Sequence, residues 1–288
     1  MALEFCALCQ LEKDLQESHL IPAFAIRWLK QTSATSHIRN ATNPNRRIQD
    51  GLTSKLLCWD CEQKFSIAEK HFAENIFMKV KKENPITPDN GLMRYFVVSL
   101  SWRVTLYFFN KNKNLYVDFL PIIEKALENW RLYLLGVKPN LEFANHYLWV
   151  SPLIDDEAIL NLDQKINLYL HRQIDAALIS PPQEVGVGAY TLLPGIGIYS
   201  PLYPKSIENP SNSKIILDEM FNVFSDFGPN VVTDFILKRA RRMSEIDLIA
   251  SEKQRNIVTS AVLGDLDRFE NSESYIPAKF TVALKKSK

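Results

Sequence analysis

The sequence predicts an α+β protein in which a small, cysteine-bearing ββα module precedes a mainly helical domain with a minor β element. All four cysteines stand in two Cys-x2-Cys pairs within the first 61 residues. From residue 91 onward apolar residues recur mostly at helical spacing, whereas the stretch 184–203 alternates small, β-branched and aromatic residues as a β-hairpin does. These observations place the module at residues 1–82 and the helical domain at residues 91–288.

The cysteine pairs are Cys6 with Cys9 and Cys58 with Cys61. A Cys-x2-Cys turn brings two thiolates to one ion, and two such turns complete a tetrahedral site, so the pattern predicts one structural Zn²⁺. The alternatives are two unrelated reduced pairs or a redox-active pair. Redox chemistry is disfavoured because neither pair lies in the strand-to-helix setting of a thioredoxin-like site. Zinc would close the 48 residues between Cys9 and Cys58 into one loop and keep so small a module folded.

The residues around the cysteines predict the order of elements in the module. The segment 18–22, Ser-His-Leu-Ile-Pro, puts His19 at the end of a predicted strand, and a short strand leads into Cys58. After the second pair, apolar residues at positions 65, 68, 72 and 76 have the spacing of one helix face. The predicted order is therefore knuckle, histidine at a strand end, long loop, strand, knuckle and helix.

The long loop carries a local excess of positive charge. The whole chain has a formal net charge of only +1, but residues 20–57 contain six basic residues and one acid, a net charge of +5 over 38 residues. Arg39, Arg46 and Arg47 predict contacts with nucleic-acid phosphates, because the guanidinium fork binds a phosphate through two hydrogen bonds. The alternative is a solvated polar connection that binds nothing.

A break near residues 81–91, with two prolines and an Asn-Gly step, separates the two predicted parts. Beyond it we expect a buried helix over 92–109 and a second helix over 120–136 that is capped by Gly136. The middle of the chain predicts a strand over 146–154, a helix over 163–179 and a β-hairpin within 145–205. The last seventy residues are predicted to be helical. The segment 99–103 ends in Arg103, for which we expect a buried ion pair with Glu124 or Glu128. We expect this segment to dock the module onto the helical domain.

Composition excludes several classes of protein. The chain is 46% hydrophobic and 23% charged, an ordinary balance for a globular protein that argues against long disordered regions. No window approaches eighteen uninterrupted apolar residues, so no membrane span is expected. The first ten residues lack a basic segment followed by an apolar core, which argues against a secretory signal. We therefore expect a cytoplasmic location, where thiols stay reduced and can bind metal.

The N-terminal module resembles the HNH, or His-Me finger, nucleases. In their zinc-bearing members one Cys-x2-Cys precedes an Asp-His-Ile-x-Pro segment, and a second follows Asn-Leu-x-x-Leu-Cys and opens a helix. This chain matches these elements at His19, Ile21, Pro22, Leu57, Cys58 and Cys61. The resemblance covers residues 5 to about 78 and none of the remaining two-thirds. With its Ser-Leu-Ser-Trp-Arg segment at 99–103, the chain is also similar to a group of bacterial proteins that carry this knuckle.

The resemblance implies a metal-dependent endonuclease that acts on DNA. In such an enzyme His19 would be the general base that deprotonates the attacking water, beside a catalytic Mg²⁺ or Mn²⁺ held by Glu62. Three positions depart from the family: Ser18 replaces a metal-binding Asp, Thr53 an orienting Asn, and Glu62 a His or Asn. A second oxygen ligand would have to come from elsewhere, and Asp50 and Asp60 are the nearest candidates in the sequence.

The sequence leaves two functions open. One is the nuclease, with bacterial defence against phage or plasmids as its setting by analogy, and with the helical domain choosing the substrate or a protein partner. The other is a non-catalytic zinc-binding module whose basic loop binds nucleic acid or a protein partner. The departures at Ser18, Thr53 and Glu62 favour the second function.

Overall fold

The structure, a computed structural model, describes residues 4–40, 43–84, 86, 89–155, 160, 165–180, 186–205, 214–215 and 230–279. It confirms the predicted fold class, because a small ββα unit lies at the N-terminus and helices with one larger sheet make up the rest. None of the described helices combines the length and the apolar character needed to cross a bilayer.

Two antiparallel strands form the base of the N-terminal unit. Strand β3 (Leu15–His19) pairs with strand β6 (Thr53–Cys58), so that Leu15 lies opposite Cys58 and His19 opposite Thr53. Two shorter strands form a second ribbon around the first knuckle: β1 (Glu4–Phe5) and β2 (Glu12–Lys13). The predicted strand that ends in a histidine is therefore confirmed.

Helix α2 (Trp59–Phe72) follows β6 without a break. It buries Phe65, Ala68 and Phe72, which lie on the face that the sequence predicts to be apolar. A π-helical turn (Ala73–Phe77) continues it into helix α3 (Met78–Lys81), and Ile76 of that turn is also buried. The whole stretch thus packs along one apolar face, as amphipathic helices do.

The segment between β3 and β6 is folded where the sequence predicts a long loop. Helix α1 (Ala23–Gln31) begins after Pro22 and buries Ala25, Ile26, Trp28 and Leu29. Strands β4 (Ile38–Asn40) and β5 (Asn43–Ile48) then pair as an antiparallel ribbon, which we call the arginine ribbon. The long-loop prediction is wrong because it overlooked the helical spacing of residues 25, 26, 28 and 29.

Helix α4 (Asn90–Lys111) is the long buried helix that the sequence predicts. Its first turn is capped by Asp89, whose Oδ1 accepts the Leu92 N–H at 3.1 Å. A 3₁₀ segment (Lys113–Phe119) leads into helix α5 (Leu120–Leu134). Gly136, at φ +76, ends this helix in the left-handed conformation that glycine adopts without strain.

Five antiparallel strands form a sheet in the region where the sequence predicts a strand over 146–154 and one hairpin. The strands are β7 His146–Val150, β8 Asp175–Ile179, β9 Val187–Leu193, β10 Ile196–Tyr203 and β11 Lys214–Ile215, and their order in the sheet is β11-β7-β10-β9-β8. Strand β7 confirms the predicted strand but ends four residues earlier. The predicted hairpin is β9–β10. In the predicted helix 163–179 only α6 (Ile166–Arg172) is helical, because residues 175–179 pair with β9 as an added strand.

The described C-terminal residues, 230–279, are mainly helical, as predicted. It contains α7 (Asn230–Ile249), α8 (Glu252–Leu263) and α9 (Leu266–Glu270). Ser251 and Asp265 separate these helices, and the side chain of each accepts a backbone N–H of the helix that follows.

The ββα unit and the helices after it share their hydrophobic core. Phe72 of α2 stacks on Phe96 of α4 with ring centroids 3.9 Å apart, and Phe65 meets Trp102 edge-on at 6.2 Å. One apolar cluster extends from α1 and α2 through α4 to the β9–β10 hairpin. These contacts join α2 to α4, while the division into domains at residues 82 and 91 stays a prediction.

Arg103 of α4 is the polar link between the two parts. Its side chain is 1% exposed, its Nη2 donates to Glu69 Oε1 at 2.7 Å, and its Nη1 donates to the His19 carbonyl oxygen at 2.9 Å. The predicted pairing with Glu124 or Glu128 is wrong, since Arg103 faces α2 and Glu128 pairs within its own helix. The predicted docking role of this segment is confirmed by the two contacts.

We expect Arg103→Met to lower the free energy of unfolding by roughly 3 kcal/mol, because it leaves the Glu69 carboxylate and the His19 carbonyl without their donor. Urea denaturation at pH 7 measures the change. The control is Lys125→Met, which breaks the exposed pair with Glu142 at 2.9 Å and should change stability by less than about 1 kcal/mol. Equal effects of the two substitutions would contradict a stabilising role for the buried pair.

Candidate functional site

The four cysteines form a compact cluster. Their sulfur atoms all lie within 4.8 Å of one another, and all four are free thiols. The Sγ atoms of Cys9 and Cys58 are 3.9 Å apart, which matches the edge of about 3.8 Å in a tetrahedron with Zn–S bonds of about 2.3 Å. The cluster can hold one metal ion, and its four-sulfur chemistry fits Zn²⁺.

Burial and local hydrogen bonds act in opposite directions on these thiols. Burial acts to raise the pKa of the Cys6 thiol, but the backbone N–H groups of Cys58, Cys9 and Leu8 outweigh it and lower the pKa to about 7. Burial and the neighbouring sulfurs raise the pKa of the Cys61 thiol far above its usual value. Four adjacent thiolates are therefore favoured only when a cation neutralises them.

His19 forms a pair with Asp50. The imidazole, 27% exposed, lies at the end of β3 with its Nε2 2.9 Å from Asp50 Oδ1. Partial burial acts to raise the pKa of the Asp50 carboxyl, but hydrogen bonds from His19 and the Gly51 N–H, with the charges of His19 and Lys30, outweigh it and lower the pKa. Asp50 is therefore an anion that orients the ring, and His19 Nδ1 has no hydrogen-bond partner among the described residues.

Ser18 faces the opposite side of β3 from His19, since neighbouring side chains of a strand alternate. It is 2% exposed, and its hydroxyl accepts the Leu57 N–H at 3.2 Å. The register of β3 against β6 shifts between Gln16 and Glu17, and the hydroxyl supplies an acceptor next to this irregularity. Ser18 is thus committed to the strand pair.

Glu62 lies in the first turn of α2, beside the cysteine cluster. Its Oε1 is buried and has no hydrogen-bond partner in the described part of the chain. Helix α2 runs back along β6, so that Glu69, two turns further on, reaches the level of His19, where both contact Arg103. Arg103 therefore links Glu69 to His19. Arg103 and His19 are 84 residues apart in the sequence, and sequence reasoning missed this contact.

No ready-made site for a second cation is found among the described residues. There the cysteine cluster is the one group of three or more His, Cys, Asp or Glu side chains placed closely enough to hold a metal ion. Asp60, one candidate for an additional oxygen ligand, forms an exposed ion pair with Lys13 at 2.6 Å. Glu62 as a catalytic metal ligand stays a prediction.

The arginine ribbon leads directly into Asp50. Arg39 and Arg47 are cross-strand partners, an arrangement that destabilises a ribbon when both residues carry the same charge. Burial and the charge of Arg47 lower the pKa of Arg39. Arg46 and Arg47 are exposed, and none of the three arginines forms an ion pair with a described carboxylate. Arg47 precedes Asp50 by three residues, so uncompensated positive charge lies within about 10 Å of chain from the His19–Asp50 pair.

No family model, no curated protein and no solved structure matches this chain.

We expect the purified chain to contain one zinc ion, and Cys58→Ala to lose it together with the order of β3, β6 and α2, because metal binding and folding of such a module are coupled. Elemental analysis measures the zinc, and amide hydrogen exchange measures the order. Asp60→Asn, two residues further on in the first turn of α2, is the matched control and should retain both. Full zinc content in Cys58→Ala would contradict a four-cysteine site.

Proposed function

We propose that the chain is a metal-dependent, HNH-like endonuclease that hydrolyses phosphodiester bonds of DNA. The observation that carries this proposal is the pairing of His19 with Asp50 at a strand end, directly beside the arginine ribbon. A histidine that is oriented by a carboxylate and partly exposed to solvent is suited to general-base catalysis. Unpaired arginines next to it are suited to hold the phosphate backbone.

His19 would act through Nδ1. With Asp50 accepting from Nε2–H, the neutral ring keeps its lone pair on Nδ1, which takes a proton from water as the water oxygen attacks phosphorus. The Asp50 carboxylate stabilises the imidazolium that forms. One P–O ester bond breaks, and the products are a phosphate monoester and a free hydroxyl.

A divalent cation would assist this reaction. Bound Mg²⁺ or Mn²⁺ would stabilise negative charge on the leaving oxygen. Glu62 is the ligand that the resemblance implies, since a carboxylate is a hard oxygen donor and its buried Oε1 has no hydrogen-bond partner in the described part of the chain. Glu62 lies about two turns of α2 from the level of His19, so this role requires the two side chains to approach each other when DNA binds. Other ligands would be water and the phosphate itself, as is usual for Mg²⁺.

DNA is the proposed substrate because of the shape of the arginine ribbon. A two-stranded β-ribbon fits the major groove of B-form DNA, whereas the major groove of A-form RNA is too deep and narrow for it. Bacterial defence against phage or plasmids and a cytoplasmic location are part of this proposal by analogy, and so is a protein partner of the helical domain.

A non-catalytic nucleic-acid-binding module is the second candidate. It is favoured by the lack, among the described residues, of a second three-ligand cation site and by the commitment of the Ser18 hydroxyl to β6. In this case the cysteine cluster would stabilise the fold of the ββα unit, and the arginine ribbon would bind nucleic acid without any catalytic step.

We expect the wild-type chain to nick plasmid DNA with Mg²⁺ or Mn²⁺ and to stop when EDTA is added. We expect His19→Ala to lower the cleavage rate by at least about 100-fold, the size of a general-base contribution. The matched control is His37→Ala, an exposed histidine in the same segment, which should cut at the wild-type rate. If the wild type does not cut, or if His19→Ala cuts as fast, the nuclease proposal is wrong.

We expect affinity for a 20-bp duplex to fall steeply with salt, and Arg39→Gln/Arg47→Gln to reduce the slope of log K against log salt by about 2, because two phosphate contacts are lost. Fluorescence anisotropy over a salt series measures the slope. Arg27→Gln, an exposed arginine on α1, is the control and should leave the slope unchanged. An unchanged slope in the double variant would exclude the ribbon as the interface in both candidate functions.

A further inference from the structure

A second basic cluster lies away from the His19–Asp50 pair. Lys81 at the end of α3 and His171 with Arg172 at the end of α6 gather around Trp28 of α1 and the Gly195 turn between β9 and β10. The turn is fixed to α6 by a hydrogen bond from the Gly195 N–H to the Leu170 carbonyl at 2.7 Å. Four separate elements therefore meet at this point.

The positive charges of the cluster are poorly compensated. Lys81 Nζ lies 4.6 Å from the centroid of the Trp28 ring and Arg172 Cζ 5.2 Å from it. Neither residue forms an ion pair with a described carboxylate, and Glu273 acts on both only at longer range. Burial, opposed by Glu273, lowers the pKa of Lys81 to about 8 and that of Arg172 to about 10. Buried cations in this state are stabilised by an anion.

Arg172 uses two of its N–H donors in hydrogen bonds within the protein. Its Nη1 donates to Thr32 Oγ1 at 2.9 Å and its Nη2 to the Leu29 carbonyl at 3.1 Å, both at the C-terminal end of α1. A guanidinium has five N–H donors, so several remain for another acceptor. The ammonium of Lys81 has three donors, and among the described residues it faces only the aromatic rings of Trp28 and Phe77.

His171 adds an acceptor to this set of donors. Its Nε2 lies 3.1 Å from the Pro152 carbonyl, which can only accept, so Nε2 carries the hydrogen and Nδ1 the lone pair. Burial lowers the pKa of His171 to about 4, and the charges of Lys81 and Arg172 act in the same direction. The ring is therefore neutral at pH 7.

Lys81 Nζ and His171 Nδ1 converge on the face of Gly195 where another residue would carry its side chain. This glycine has φ +74, and a Cβ at its position would lie 2.6 Å from Lys81 Nζ and 3.3 Å from His171 Nδ1. Lys81, His171 and Arg172 are half-buried, so that solvent reaches the cluster. One cationic donor and one neutral acceptor thus lie side by side at Gly195, and Arg172 contacts the same Trp28 ring as Lys81.

We propose that this cluster, the Gly195 site, binds hydrogenphosphate. The ionised oxygens would accept from Lys81 and Arg172, and the remaining P–OH would donate to the lone pair on His171 Nδ1. Sulfate and the phosphodiesters of DNA carry no proton at neutral pH. Each would place an oxygen lone pair next to the lone pair of His171 Nδ1, and two acceptors repel each other without forming a hydrogen bond. The site therefore selects phosphate over sulfate, and it does not depend on the proposed nuclease function.

Thermal unfolding of the full chain at pH 7 tests the site. Phosphate and sulfate are compared at low millimolar concentration and matched ionic strength, where their general salting-out effect is small. We expect phosphate to raise Tm in a saturable way and sulfate to raise it less. Lys81→Gln should abolish the phosphate response, while Lys82→Gln, the exposed neighbour, should keep it.

A binding measurement on the unaltered chain covers the case in which Lys81→Gln fails to fold. Equilibrium dialysis with radiolabelled phosphate should give one site per chain that a tenfold excess of sulfate does not displace. A 20-bp duplex at equal phosphate concentration should not displace it either. Displacement by sulfate, displacement by the duplex, the absence of a saturable site, or an undiminished phosphate response in Lys81→Gln would each overturn the proposal.

Discussion

The four-cysteine cluster is the constraint on which the geometry of the N-terminal unit depends. It joins residues 6–9 to residues 58–61 and so closes the 48 residues between the two pairs. Closing a loop of this length costs entropy, which the binding of a structural zinc, on the order of 10 kcal/mol, can offset. Once the loop is closed, β3 and β6 pair in one register, and this register sets His19 opposite Thr53.

The cluster does not hold this unit by itself, because a two-stranded ribbon is only marginally stable in water. Helix α4 covers the unit from the other side through the stacking of Phe96 on Phe72. Arg103 of the same helix reaches the His19 carbonyl and the Glu69 carboxylate from a position almost fully shielded from solvent. The helical part of the chain is therefore part of the support of the candidate site, and a change in α4 would be felt at His19.

The elements that the sequence predicted correctly are those whose signal is local. Helices α4 and α5, the β9–β10 hairpin and the two Cys-x2-Cys pairs of the cluster each follow from residue spacing within a short segment. The sequence predicts helix for residues 175–179, but these residues form strand β8. They become a strand because they pair with β9, which no local pattern shows. Asp50 could be named as a nearby carboxylate, but its pairing with His19 spans 31 residues and depends on the fold of α1 and the arginine ribbon.

By itself, the sequence determined the four thiols that form the cluster, the order of strand, knuckle and helix, and the segment that carries the excess of positive charge. Each of these depends on residues a few positions apart. Only the tertiary structure decided that His19 meets Asp50, that Arg103 pairs with Glu69, and that Lys81 and His171 gather at Gly195. These side chains are far apart in the chain, and the packing of helices and strands against one another selects which of them come into contact.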